Sequence, residues 1–421
     1  MISARRFLAA FAAALLPLAA CTDDVVRSPL DGAAAIESRA PVGPRADWEV
    51  WALDQGPGLN RIHVYGSDLE ERARIDFPAL WEAEEIEQEV LTPHMISFSS
   101  NHDYAAVAST QSGNVTIIRT SDYQVVDIIT TGSGAHMAHF TPDNQSIWVA
   151  NIGTVTFTEI TADLDTESFA IGRELDLVSD ETWEAEFSGV EGGGGGARGL
   201  NVPAPVCHEY TEDGRFAYVT LGPGAGGLIV VDIQANEPTV VKAFPRDEVR
   251  ANCGLARSPD GRKMFANWGD PGDPADPPAQ SGAWYVFDTS DHSLILASEE
   301  TRGIDAHGTR HSPVGPWLWQ VNRGTSNAIL INSQSHRVVH EIDFVGDSPD
   351  ILDFSPDGRL AFVSLRGPNP VTGAAHVATG TTPGFAVINT AQRRKVRLIQ
   401  PAESDELESS DFHGLGVRVI R

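Results

Sequence analysis

Cysteine is scarce in this chain: Cys21, Cys207 and Cys253 are the 3 in 421 residues. That is too few for a disulfide framework, and no Cys-x-x-Cys-His run is present to attach a haem. Basic residues are short as well. The 30 Lys and Arg face 58 Asp and Glu, a formal net charge of −28, which argues against nucleic acid and anionic lipid surfaces as partners. Beyond the first 20 residues no apolar run is long enough to span a bilayer. The glycine-rich FSGVEGGGGGARGL (187–200) lacks the Gly-Lys-Ser/Thr ending of a phosphate loop, so no nucleotide cofactor is expected. GDPGDPADPPAQSG (269–282) lacks the spacing of an EF-hand.

What the chain has in abundance is one repeated unit. DSPDILDFSPDGRLAFVSLRG (347–367) reads as an extended run, a Ser-Pro-Asp-Gly turn and a second extended run. The same unit begins at His94, His136, Cys207, Cys253 and His307. Recurrence at roughly 40–50 residues with strands only predicts a β-propeller. EVWALDQG, RIHVYG and ERARIDF look like a blade that lacks its first strand, and HGLGVRVI (413–420) is an inner strand without partners. The two ends are therefore expected to form one blade, closing a seven-bladed all-β ring over 48–421 and leaving no open sheet edge.

Residues 1–21 read as a secretory signal, with Arg5 and Arg6 before the apolar Phe7–Leu16 run, followed by a polar tether over 22–47. Leu18-Ala19-Ala20-Cys21 resembles a bacterial lipobox, which implies export, lipidation of Cys21 and, with Thr22 following, an outer-membrane anchor facing the periplasm. The membrane would be touched only through that lipid. ALWEAEEIEQEVL (79–91) is expected as a short acidic helix, and the PNPVTGAAHVATGTTPG loop with His376 as a cover for the mouth.

The units resemble YVTN-type β-propeller repeats over nearly all of residues 48–420. Related propellers occur in nitrous oxide reductase, haem nitrite reductase, lactonases and selenium-binding proteins. In nitrous oxide reductase, histidines from inner strands converge on copper. The resemblance implies a monomeric propeller but no single activity.

Aligned on the Ser or Thr that opens each turn, the position five residues upstream holds His94, His136, Val206, Cys253, His307 and Asp350; His413 takes it in the terminal copy. Equivalent positions in a propeller lie at one height around the channel. Five of the seven slots thus hold His or Cys and a sixth Asp, which are ligand types for zinc or copper rather than calcium or magnesium. In the irregular fourth slot a bulge would bring His208 or Cys207 into the ring. A Cys207–Cys253 disulfide and purely structural histidines stand as alternatives. Arg323 and Arg366, ending second strands, belong at the same rim, where they would clamp an acidic small molecule or pair with the acidic loops 82–90, 297–305 and 403–411. His139 and His311 are expected to orient ring ligands, and His63, His292, His336 and His340 to lie at the surface.

Three functions follow from this reading. The first is a metal protein binding copper or zinc, as redox enzyme or carrier. The second is a metal-free lactonase-type hydrolase acting on an acidic small molecule. The third is a scaffold that meets protein partners on the propeller faces.

Overall fold

Each turn of the repeat is built by its own side chains. In the 355–360 turn, Ser355 Oγ donates to Asp357 Oδ1 at 2.8 Å and accepts from the Leu360 amide at 3.0 Å, while Asp357 Oδ1 accepts from the Arg359 amide at 3.1 Å. The Ser or Thr and the Asp satisfy donors that a tight turn leaves without partners. Gly358 sits at φ +66°, and where the repeat carries His102 or Asn144 instead, those residues adopt φ +62° and +61°.

The computed structural model describes residues 47–177, 204–222, 227–252, 254–272, 280–402 and 406–420. The signal and Cys21, the tether apart from Asp47, the glycine-rich loop at 187–200, Cys253 and residues 273–279 lie outside them. The described strands form seven four-stranded antiparallel sheets. The fold is a seven-bladed β-propeller. Inner strands are Phe412–Ile420, Pro93–Phe98, Ala135–Phe140, Ala204–Tyr210, Leu255–Arg257, Ala306–His311 and Pro349–Phe354.

The blades bury one another's faces. Trp148 and Phe157 of the third stack at 4.9 Å and share a cluster with Tyr210, Val219 and Ile229 of the fourth. Trp268, Trp284 and Trp319 fill equivalent seams. Fully burying one such large side chain is worth about 1.5–3 kcal/mol.

Closure is by the C-terminal strand. Phe412–Ile420 pairs antiparallel with Asp47–Asp54, with Trp48 opposite Val419 and Val50 opposite Val417. Phe412, Leu415 and Val417 then pack with Phe362, Phe385 and Ile399 of the seventh blade. The acidic helix is shorter than expected and shifted, Phe77–Glu82, with Asp76 Oδ1 accepting from the Ala79 amide at 3.0 Å. Glu84 at φ +57° ends it, and the like-charged run to Glu89 offers no side-chain pairs to extend it.

Deleting Phe412–Arg421 is expected to strip the first blade of its inner strand. Limited proteolysis and thermal melting of the truncated protein should show rapid cleavage and no cooperative transition; melting like the intact chain would contradict the closure.

Candidate functional site

At the start of six inner strands the ladder slips by one residue. Pro93 pairs with Ser109 but Met95 with Ala108, leaving His94 extra. The same irregularity falls at His136, at 206–207, at 307–308, at 350–351 and near His413. A β-bulge bends the strand and re-aims its side chains. Here it brings His94, His136, His307, His413 and Asp350 together at the mouth of the channel. Asp350, His413 and His94 are 0, 1 and 2% exposed and His307 8%, so these groups are inside the protein.

Their protonation can be followed from one fixed anion. The Asp411 carboxylate only accepts; Arg366 Nε and Nη2 donate to it at 2.7 and 2.8 Å. Gln55 Nε2 donates to Asp411 Oδ2 at 2.9 Å and to Thr372 Oγ1 at 2.8 Å. The Gln55 carbonyl oxygen must then face His94 Nδ1, 2.9 Å away, and that nitrogen carries the hydrogen. His136 Nδ1 likewise donates to Val206 O, and His413 Nδ1 to His94 O, each at 3.0 Å. In the neutral form all three imidazoles present Nε2 as a lone pair.

Two of those lone pairs meet: His94 Nε2 and His136 Nε2 are 2.9 Å apart. Burial, reinforced by His413 and His136, holds His94 well below the ordinary imidazole range, and burial pushes His136 down to about 4. Near neutral pH the pair therefore lacks the proton that would join it. His413, also held well below its ordinary value by burial, stacks on His94 with ring centres 3.6 Å apart.

Next to this pair lies Asp350. Its Oδ2 accepts from Arg366 Nη1 at 2.8 Å, with His413 Nε2 at 3.6 Å. Its buried Oδ1 has His307 Nε2 at 3.0 Å and Arg323 Nη1 at 3.6 Å, in charge contact rather than in a hydrogen bond. Burial alone would raise the carboxyl; His307, His413, Arg323 and Arg366 outweigh it and hold it well below the usual carboxylate range. Ligand atoms of His307, Asp350 and His413 lie within 4.8 Å of one another, a group that could hold a metal ion.

The other expected residues are placed differently. His208 is fully buried between the third and fourth blades, against Phe157 and Tyr210 at ring distances of 4.9 and 5.5 Å, and does not join the ring. The fourth-blade bulge opposes residues 206 and 207 to Thr220, which returns His208 to the ladder opposite Val219. Cys207 is a buried free thiol, 4.0 Å from His136 Nδ1. Arg323 and Arg366 do not project as a clamp; they pair with Asp305 at 2.7 Å and with Asp411 and Asp350, acids of the loops around them. His139 and His311 touch no ring histidine in the contacts seen: His139 packs by His208 and Tyr210, and His311 bonds Ser312 O and Ser333 Oγ. The orienting groups are Gln55, Val206 O and His94 O instead. His63 is not at the surface but fully buried, 3.1 Å from Glu71 Oε1.

Above the ring is a cavity of about 540 Å³, walled by the ring histidines, by apolar Ile152, Val206 and Ala306, and by Thr372–Ala374 of the 367–380 loop. That loop is held over the mouth: the Val371 amide donates to Asp411, and His376 Nε2 donates to Pro271 O at 2.7 Å. Beneath the ring, within the channel, is a second cavity of about 260 Å³.

No family model and no curated protein matches the sequence. Solved structures do resemble it. Hydrazine synthase from Kuenenia stuttgartiensis aligns with TM-score 0.56 and 13% identity over 81% of this chain and 95% of that one. A candidate 6-phosphogluconolactonase from Bacteroides fragilis gives 0.58 and 12% over 90% and 99%. Dihydro-haem d1 dehydrogenase NirN, in complex with DHE, gives 0.51 and 14% over 87% and 74%. The likeness is one of fold.

Two outcomes follow from this site. Arg366 is fully buried and Arg366→Leu leaves Asp350 and Asp411 without their main counter-charge. Breaking a buried pair costs about 3–5 kcal/mol, so the urea midpoint should fall steeply; an unchanged midpoint would contradict the role given to Arg366. The second concerns pH. Unfolded His136 takes up a proton near 6.5 but folded His136 only near 4, so the unfolded state binds more protons between those values. Stability of the metal-free protein should fall as pH drops from 6.5 to 4, by roughly 3 kcal/mol for this residue alone. Asp350, depressed below 3.8, contributes only to losses at lower pH. Urea unfolding at a series of pH values should show the slope, reduced in His136→Gln; a flat profile would contradict it.

Proposed function

We propose that the mouth of the channel is a transition-metal centre, and that the protein is a copper- or zinc-dependent enzyme acting on a small molecule. The observation that carries this is the pair of opposed Nε2 lone pairs of His94 and His136, 2.9 Å apart, with their Nδ1 atoms already committed. Two neutral lone pairs brought this close repel; a shared cation about 2.0 Å from each nitrogen, off the line that joins them, would turn the contact into attraction. Imidazoles oriented through Nδ1 by carbonyl oxygens are the usual support of metal ligands. His413, His307 and the orphaned Asp350 oxygen are further donors alongside.

Charge supports a cation as well. Asp305, Asp350 and Asp411 with Arg323 and Arg366 leave one net negative charge beside the neutral rings of His94, His136 and His413. Histidine-rich sites of this kind suit zinc or copper. The cavity of about 540 Å³ above the ring supports an enzyme over a carrier, since a carrier has to admit only an ion. Its largely apolar walls suit a small organic molecule. A metal-free hydrolase is the second reading, favoured by the 3.0 Å contact of His307 with Asp350. The lipobox-like Leu18–Cys21 sequence supports placing this activity at the periplasmic side of an outer membrane.

Purified without a His tag, the protein should carry copper or zinc by elemental analysis. His136→Ala and His307→Ala should lose most of it while keeping the wild-type circular dichroism, and His336→Ala, at the surface beside Lys263, should keep it. Affinity should fall as pH drops through the imidazole range, because binding displaces protons. A folded protein that takes up neither metal, or activity that survives a strong chelator, would overturn the proposal.

A further inference from the structure

One residue below the ring, the inner strands carry a second set of side chains that the metal centre at the mouth does not use. In the fifth, sixth and first blades this position is Gly254, Gly308 and Gly414. A Cβ there would lie 2.3, 2.3 and 2.4 Å from the carbonyl oxygen of His307, Asp350 and His94, so only glycine fits. In the second, third and fourth blades, which are consecutive, the same position holds Met95, Met137 and Cys207. Of the 4 methionines in the chain, two are thus here, and Met264 is in an apolar inter-blade core.

All three sulfur side chains line the channel cavity of about 260 Å³ beneath the histidines. They come from neighbouring strands at one height, so they occupy one side of its wall. The position of one sulfur is fixed: the His208 amide donates to Met137 Sδ at 3.3 Å. Cys207 is 5% exposed and carries a free thiol. His208 lines the same cavity and is fully buried. The Tyr210 hydroxyl donates to His139 O at 2.7 Å, so His208 Nε2 must be the donor to Tyr210 at 3.3 Å. Its Nδ1 is then a lone pair, buried and without a hydrogen-bond partner among the described residues.

We infer that Met95, Met137 and Cys207 form a second, separate site for a soft monovalent cation, Cu(I), in the channel below the ring. Thioether and thiolate sulfur select Cu(I) over the harder divalent ions, and a single thiolate balances its one charge. Thioethers add donors without adding charge, which suits an interior where surplus charge is costly. Cys207 Sγ lies 4.0 Å from His136 Nδ1, the nitrogen bonded to Val206 O and not the Nε2 of the upper centre, so the two sites are distinct.

The test separates the two sites by removing the upper donors. The full-length protein carrying His94→Ala, His136→Ala, His307→Ala and His413→Ala is titrated anaerobically with Cu(I) against a competing chelator and studied by X-ray absorption. One Cu(I) equivalent should remain bound, with sulfur neighbours. Adding Met95→Leu or Met137→Leu, which conserve volume, should weaken it by about tenfold, the low end of the effect of disturbing a metal's surroundings; Cys207→Ser should weaken it more. Retained copper with only nitrogen and oxygen neighbours, affinity unmoved by the methionine changes, or no retained copper would each overturn the inference. If the ring variant fails to fold, the same methionine changes in the otherwise unaltered protein must reduce the sulfur signal. A failure of the upper centre alone leaves this readout intact, because it is taken without those ligands.

Discussion

The pairing of Phe412–Ile420 with Asp47–Asp54 is the contact on which both the ring and its site depend. It buries the edges of the first blade, and it also delivers Asp411 and His413 to the mouth. Asp411 holds Arg366 and fixes Gln55, which in turn fixes His94; His413 donates to His94 O and stacks on its ring. A strand contributed by the far end of the chain therefore sets which nitrogen of His94, on another blade, carries the hydrogen. The site cannot assemble before the propeller closes.

Local geometry comes from the inner-strand bulges. A regular strand alternates its side chains across the two faces of a sheet. One extra residue per inner strand gives the channel two successive residues to use. The upper tier is imidazole and carboxylate, the lower tier sulfur on one side and glycine on the other. The glycines are imposed by the neighbouring blade's carbonyl oxygen, whereas the sulfur residues are not. The 367–380 loop completes the mouth from above, tied to Asp411 at one end and to Pro271 by His376.

Much of this was legible in the sequence, because a repeat fixes equivalent positions without any pairing information. The Ser-Pro-Asp-Gly turns located the inner strands, the residue five before each turn named His94, His136, His307 and Asp350, and the His-Gly-Leu copy at the end added His413. What the sequence hid were contacts between blades. Gln55 and Asp411 are 356 positions apart, and nothing in either stretch announces the bond. A partial signal existed: Asp305 and Asp411 each stand two residues before a ring histidine. His208 was misplaced because spacing alone does not show which residues of a two-residue bulge return to the ladder. His63 was taken for an outer residue because an alternating strand does not show that its face is covered. The disposition of Arg323 and Arg366 was left between a substrate clamp and pairing with loop acids, and only coordinates distinguish these.

The central claim is that His94, His136 and His413 carry their hydrogens on Nδ1 and leave their buried Nε2 atoms bare. Nitrogen NMR of histidine-labelled, metal-free protein near pH 7 reads this directly. The account predicts three Nδ1-protonated neutral rings, assigned by single substitution, whose Nε2 resonances shift when zinc is added. Rings protonated at Nε2, rings fully charged at that pH, or Nε2 signals that zinc leaves unmoved would contradict it.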